Sequence, residues 1–91
     1  MTSPAQREAV LFGERLRELR EKQALTLRSL ADLADMSYTY ISDMERGLRV
    51  PTLTTIIRLA VALECKVTDL VGMFDKRNLR SLVKKRSGRD R

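Results

Sequence analysis

Tyr38, Thr39, Tyr40, Ser42 and Asp43 fall within six consecutive residues, and Arg28, Arg46 and Arg49 flank them in the chain. Hydroxyls, phenols, a carboxylate and guanidinium groups are the raw material of polar contact. Nucleophilic catalysis needs more, because a serine is a weak nucleophile until a neighbouring base activates it. Ser29, Ser42 and Ser81 have no such base, since the chain contains no histidine at all. The commonest zinc ligand is absent with it, and Cys65, the one cysteine, cannot close an intrachain disulfide. No catalytic residue, metal or cofactor is therefore expected, and the chain does not read as an enzyme. What remains is recognition: side chains of this size can touch the edges of base pairs or a thymine methyl.

Such side chains need a scaffold, and the spacing of apolar residues predicts one that is entirely helical. Ser3-Pro4 can open a first helix, and Phe12, Leu16 and Leu19 place an apolar stripe opposite Glu14, Arg17, Glu18 and Glu21 as far as about residue 23. Thr26 is an N-cap for a short helix over 27–34, and Ser37 caps another over 38–46 that Gly47 ends. On that third helix Ile41 and Met44 form the inward pair, so Tyr38, Thr39, Ser42 and Asp43 face out, with Tyr40 at the flank. After Val50-Pro51-Thr52, Leu53, Ile56, Ile57, Leu59, Ala60 and Leu63 define the most apolar helix, 53–63, expected to be the central one. Thr68 begins a fifth helix over 69–74, and Leu79, Leu82 and Val83 suggest a further short helix in the tail. Nothing reads as a strand. The stretch Thr26 to Gly47 has helix-turn-helix spacing, in which the first helix lies across a phosphate backbone and the second enters the major groove.

Ninety-one residues suit one small domain. The longest run without a charge, Val50 to Ile57, is far below the roughly 20 residues of a membrane span, so no membrane association and a cytoplasmic location are expected. The net charge of +6 is unevenly placed: residues 1–75 carry ten basic and eleven acidic residues, whereas 76–91 carry eight basic residues against Asp90 alone. The organisation expected is an arm or helix start over 1–8, a folded domain over 9–75 and a basic tail over 76–91. The tail is either a solvated end or a grip on phosphates, so basicity alone does not identify a nucleic-acid binder.

Five separated blocks carry a resemblance: Phe12 to Arg20, Thr26 to Ala31, Tyr40 to Gly47, Pro51-Thr52-Leu53 and Leu59 to Leu63. Together they resemble the lambda-repressor-like helix-turn-helix family, also called the xenobiotic-response-element type, over about residues 12–74. The Thr39-Tyr40-Ile41-Ser42 segment is similar to that of small restriction–modification controller proteins. The resemblance implies a compact five-helix DNA-binding domain of a transcription regulator or repressor, a homodimer on a palindromic operator in double-stranded DNA. It makes the third helix the recognition helix and gives base contacts to Tyr38, Thr39, Ser42 and Asp43. Backbone contacts fall to Thr26, Leu27, Arg28, Tyr40, Arg46 and Arg49. It also implies a structural ion pair between Arg20 and Glu45, and a dimer surface around Val67, Leu70, Val71, Met73 and Phe74.

Departures from the family pattern matter too. Leu27 stands where many relatives carry glutamine, which removes a phosphate clamp. Ala24 and Asp35 stand where relatives usually have glycine; aspartate accepts positive φ more readily than alanine, so a different local turn is expected at Ala24. Tyr38 and Tyr40 also suit a plainer role covering the core edge, Arg46 and Arg49 suit ordinary surface charges, and Cys65 suits packing. With no room for a separate ligand domain, no small-molecule effector is expected. The alternative function is an antitoxin-type or other protein-interaction module whose tail wraps a partner.

Overall fold

The computed structural model describes residues 4–74, which form five helices and no strand: α1 (Pro4–Lys22), α2 (Leu27–Ala34), α3 (Tyr38–Glu45), α4 (Leu53–Leu63) and α5 (Val67–Val71). The basic tail 76–91, including Leu79, Leu82 and Val83, lies outside the described residues.

Ala9, Phe12, Leu16 and Leu19 recur at three- and four-residue steps along α1, and all four are buried. The opposite face is polar and laced by Arg15–Glu18 and Arg17–Glu21 pairs one turn apart. The α1 stripe meets Leu30, Ala31 and Ala34 of α2, Ile41 and Met44 of α3, Leu59, Ala60 and Leu63 of α4 and Leu70 of α5 in one core. α1 packs on α3 and α5, α2 on α3 and α4, and α4 on α5. A Cβ at Gly13 would run into the carbonyls of Met44 and Glu45, so glycine there is what lets α1 and α3 approach closely.

Side-chain caps open the three middle helices. Thr26 Oγ1 accepts from the Ser29 amide at 3.0 Å, Ser37 Oγ from Tyr40 at 3.0 Å and Thr52 Oγ1 from Thr55 at 3.1 Å. Left-handed residues end α2 and α4, Asp35 at φ 57° and Glu64 at φ 54°. Gly47, at φ 76°, follows α3 and presses against Val10.

Three expectations are corrected. Ala24 adopts φ 57°, the left-handed conformation that glycine supplies elsewhere, rather than a different turn. It does so because the Leu25 amide reaches back to the Arg20 carbonyl at 3.1 Å, closing the helix end around it. α5 starts at Val67 rather than at 69, since the Asp69 carboxylate accepts from the Lys66 amide at 2.9 Å and sets the boundary two residues earlier. α4 is apolar but not central: Leu59, Ala60 and Leu63 enter the core, whereas Leu53 is 68% exposed, Ile57 46% and Val61 72%.

Candidate nucleic-acid interface

α2, the turn 35–37 and α3 form the site, and the core decides which way α3 faces. Ile41 and Met44 are fully buried. The helical repeat then turns Tyr38 and Thr39 outward to solvent and leaves Ser42 and Asp43 half-buried on the same side. These four residues share one polar face. Asp43 is partly neutralised by Arg46, whose Nη1 lies 3.8 Å from Oδ1.

Cations frame this face on both flanks. The Arg28 guanidinium, from the first turn of α2, lies 5.5 Å from the centroid of the Tyr38 ring. The Arg49 guanidinium lies 5.2 Å from that of Tyr40. Stacking of this kind restricts an otherwise flexible cation and is worth about 0.5–1 kcal/mol at an exposed site. Tyr40 is itself half-buried against the core, and its hydroxyl shares a hydrogen bond of 3.1 Å with Thr55 Oγ1. Thr52, the cap of α4, donates to the same Thr55 oxygen at 3.1 Å. The phenol of Tyr40 is thus engaged at the core edge, while its ring holds Arg49. The side chain of Arg46 is largely exposed.

At the start of α2, Thr26 spends its hydroxyl on the cap and Leu27 turns its side chain toward the core. Both amides stand at the positive end of the helix, where an anion is favoured.

Arg20 and Glu45 tie the site to α1. Arg20 Nε donates to Glu45 Oε2 at 2.7 Å, Nη2 to Oε1 at 3.0 Å, and Nη1 to the Leu25 carbonyl at 2.7 Å. Their side chains are only 11% and 6% exposed. The hydrogen-bonded Glu45 carboxylate holds the Arg20 guanidinium above its already high ordinary value.

Arg58 has no precedent in the sequence reading. From α4 its Nη2 donates to the carbonyls of Ala34 and Asp35 at 2.8 and 2.7 Å, clamping the turn between α2 and α3. No local pattern signals it, because its targets are backbone oxygens more than twenty residues away. The Gln23 side-chain amide similarly donates to the Leu63 carbonyl, joining the ends of α1 and α4.

One expected surface residue is corrected. Leu70 is fully buried in the chain's own core and has nothing to offer a second copy. Val67, Val71, Met73 and Phe74 are half-buried, with Val67 and Val71 packed on that core. Cys65 is half-buried, and burial, with Asp69 adding to it, pushes its thiol up. No cluster among the described residues could hold a metal ion, and no described helix is long and apolar enough to cross a membrane.

The helix-turn-helix family model HTH_3 matches residues 16–70, more than half of the chain. The control protein C.BamHI of Bacillus amyloliquefaciens is 38% identical over 63 residues, 68% of this chain and 78% of its own. The HTH-type transcriptional regulator DdrOP3 of Deinococcus deserti is 45% identical over 58 residues, 64% of this chain; the match covers only 45% of DdrOP3, less than half its length. Among solved structures, the restriction-modification controller protein C.AhdI from Aeromonas hydrophila matches with a TM-score of 0.67 at 40% identity, over 68% of this chain and 94% of its own. A capped α2, a left-handed turn and an α3 with one polar face, inside a five-helix core that the family model spans, place this chain in the lambda-repressor-like helix-turn-helix family of DNA-binding domains.

Proposed function

We propose that the chain is a cytoplasmic, sequence-specific transcription regulator that binds a palindromic operator in double-stranded DNA as a dimer, with α3 in the major groove. The observation that carries this reading is the outer face of α3. Tyr38, Thr39, Ser42 and Asp43 stand opposite the buried Ile41 and Met44, framed by Arg28, Arg46 and Arg49. A face of short hydrogen-bonding side chains suits base edges, and the surrounding cations suit phosphates. Thr39 and Ser42 read bases, Tyr38 and Asp43 extend that contact, and a carboxylate such as Asp43 can accept from a cytosine amino group. Arg28, Arg46, Arg49 and the amides of Thr26 and Leu27 grip the strands. Tyr40 serves the backbone contact by carrying Arg49. The relatives, among them a transcriptional regulator, a control protein and a restriction-modification controller protein, support a regulatory role.

Binding to duplexes from the gene's own promoter, measured against random duplex over a range of salt, tests the reading. Thr39→Ala should lower discrimination at one base pair by about 1–3 kcal/mol. Arg46→Ala should weaken all duplexes alike and reduce the salt slope by about one unit. Equal behaviour of the two variants, or no preference for promoter DNA by the wild type, refutes the assignment.

A further inference from the structure

Leu53, Ile57 and Val61 lie at i, i+4 and i+8 on the side of α4 opposite its buried residues, and they are 68%, 46% and 72% exposed. Residues four apart line one helical face, so the three form a continuous ridge of large aliphatic side chains. Scattered single apolar residues on a surface need no explanation; an aligned set on one helix does.

DNA is a poor occupant, since the ridge offers neither a donor nor a charge. A bilayer surface would call for cations beside the ridge. Arg58, the only cation within α4, is committed to the carbonyls of Ala34 and Asp35. A second copy fits on three counts. The ridge is centred on Ile57 with one aliphatic residue four positions to either side, so a twofold axis through Ile57 sets Leu53 of one copy on Val61 of the other. A twofold interface must be self-complementary in this way. Antiparallel pairing also brings Glu64, exposed at the end of one α4, toward the positive start of the other. Finally, Tyr40 is bonded to Thr55 on the buried side of α4, so an axis on the opposite face leaves α3 and its polar side uncovered.

We propose that two copies of this chain associate antiparallel through the outer face of α4, about a twofold axis at Ile57, rather than through α5. This inference rests on the dimeric reading above and gives that dimer its contact surface.

Sedimentation velocity of the full chain over a range of concentration is the test, with circular dichroism as the check on folding. The wild type should sediment as a dimer. Ile57→Glu and Val61→Glu should each weaken association about tenfold or more, because a carboxylate would be buried without a partner. Both sites are exposed in the single chain, so the variants should keep full helical content. Leu53→Lys should likewise dissociate, and an equimolar mixture of Leu53→Lys with Val61→Glu should regain dimers, since only the antiparallel register brings those positions together. A wild type that stays monomeric overturns the proposal, as do folded α4 variants that remain dimeric or a mixture that fails to associate. A monomeric full chain that dimerises once residues 76–91 are removed also overturns it, by showing that the tail covers the ridge. Promoter binding is scored separately: a chain whose α4 variants dissociate as expected, yet which prefers no duplex, refutes the regulator reading and leaves the interface standing.

Discussion

Arg20 shows why residue chemistry in this domain has to be read through burial. Its guanidinium makes two hydrogen bonds to Glu45 and a third to the Leu25 carbonyl, all at 3.0 Å or less, with both charged side chains nearly shielded from water. A surface pair is worth little, but removing one member of a buried pair strands the other charge. Arg20→Ala should therefore cost about 3–5 kcal/mol of stability, read as a shift in the urea midpoint with the slope unchanged. Because Glu45 closes α3, the same variant should lose sequence preference only as it loses structure. Thr39 belongs to the opposite class: exposed and outside the core, it can be trimmed at little cost to folding. Comparing the two variants tests whether Thr39 contacts DNA as proposed, since Arg20 acts only by holding the fold. The α3 residues were legible in the sequence because Ile41 and Met44 set the inward side by local periodicity. Arg58 was not, since a guanidinium that donates to distant carbonyls leaves no trace in local spacing.

At the scale of the element, the connection between α1 and α2 carries the clearest strain. Ala24 sits at φ 57°, where its Cβ crowds the backbone, at a cost of about 1–2 kcal/mol relative to glycine. The turn persists because the Leu25 amide bonds the Arg20 carbonyl, Arg20 grips the Leu25 carbonyl in return, and the Leu25 side chain packs on the core. Ala24→Gly should stabilise the domain by about 1 kcal/mol, the relief of strain outweighing the freedom glycine adds to the unfolded chain. For a domain of this size that corresponds to a melting temperature higher by about 4–8 °C, measurable by calorimetry. An unchanged or lower melting temperature would show that the turn is not strained. Alanine's dislike of positive φ argued for another turn at this position; the tertiary contacts of its neighbours outweighed that local preference.

The whole molecule divides its electrostatics between two regions. Residues 1–75 are nearly neutral, while 76–91 carry all of the positive excess. Sequence-independent affinity for DNA grows with the number of phosphates neutralised and falls steeply with salt. Removing residues 76–91 should thus weaken binding to every duplex and flatten the salt dependence, while the ratio of promoter to random affinity stays as it was. Fluorescence anisotropy at several salt concentrations checks both quantities. Loss of the ratio would move base recognition from α3 to the tail. Retention of a stoichiometric protein partner by the full chain, but not by the shortened one, would favour the interaction-module alternative.

Helix order, the caps at Thr26 and Ser37 and the inward pair on α3 were determined by the sequence alone, because hydroxyl caps and three- to four-residue apolar spacing act within a turn or two of the chain. The tertiary structure decided what depends on distant neighbours. It spent Leu70 on the core, turned Leu53, Ile57 and Val61 outward, set Tyr40 on Thr55 and brought Arg58 to the end of α2. An apolar face on a helix gains stability when it is buried, but periodicity does not say whether the chain's own core covers it. Only the closed packing of all five helices shows which apolar faces are already covered.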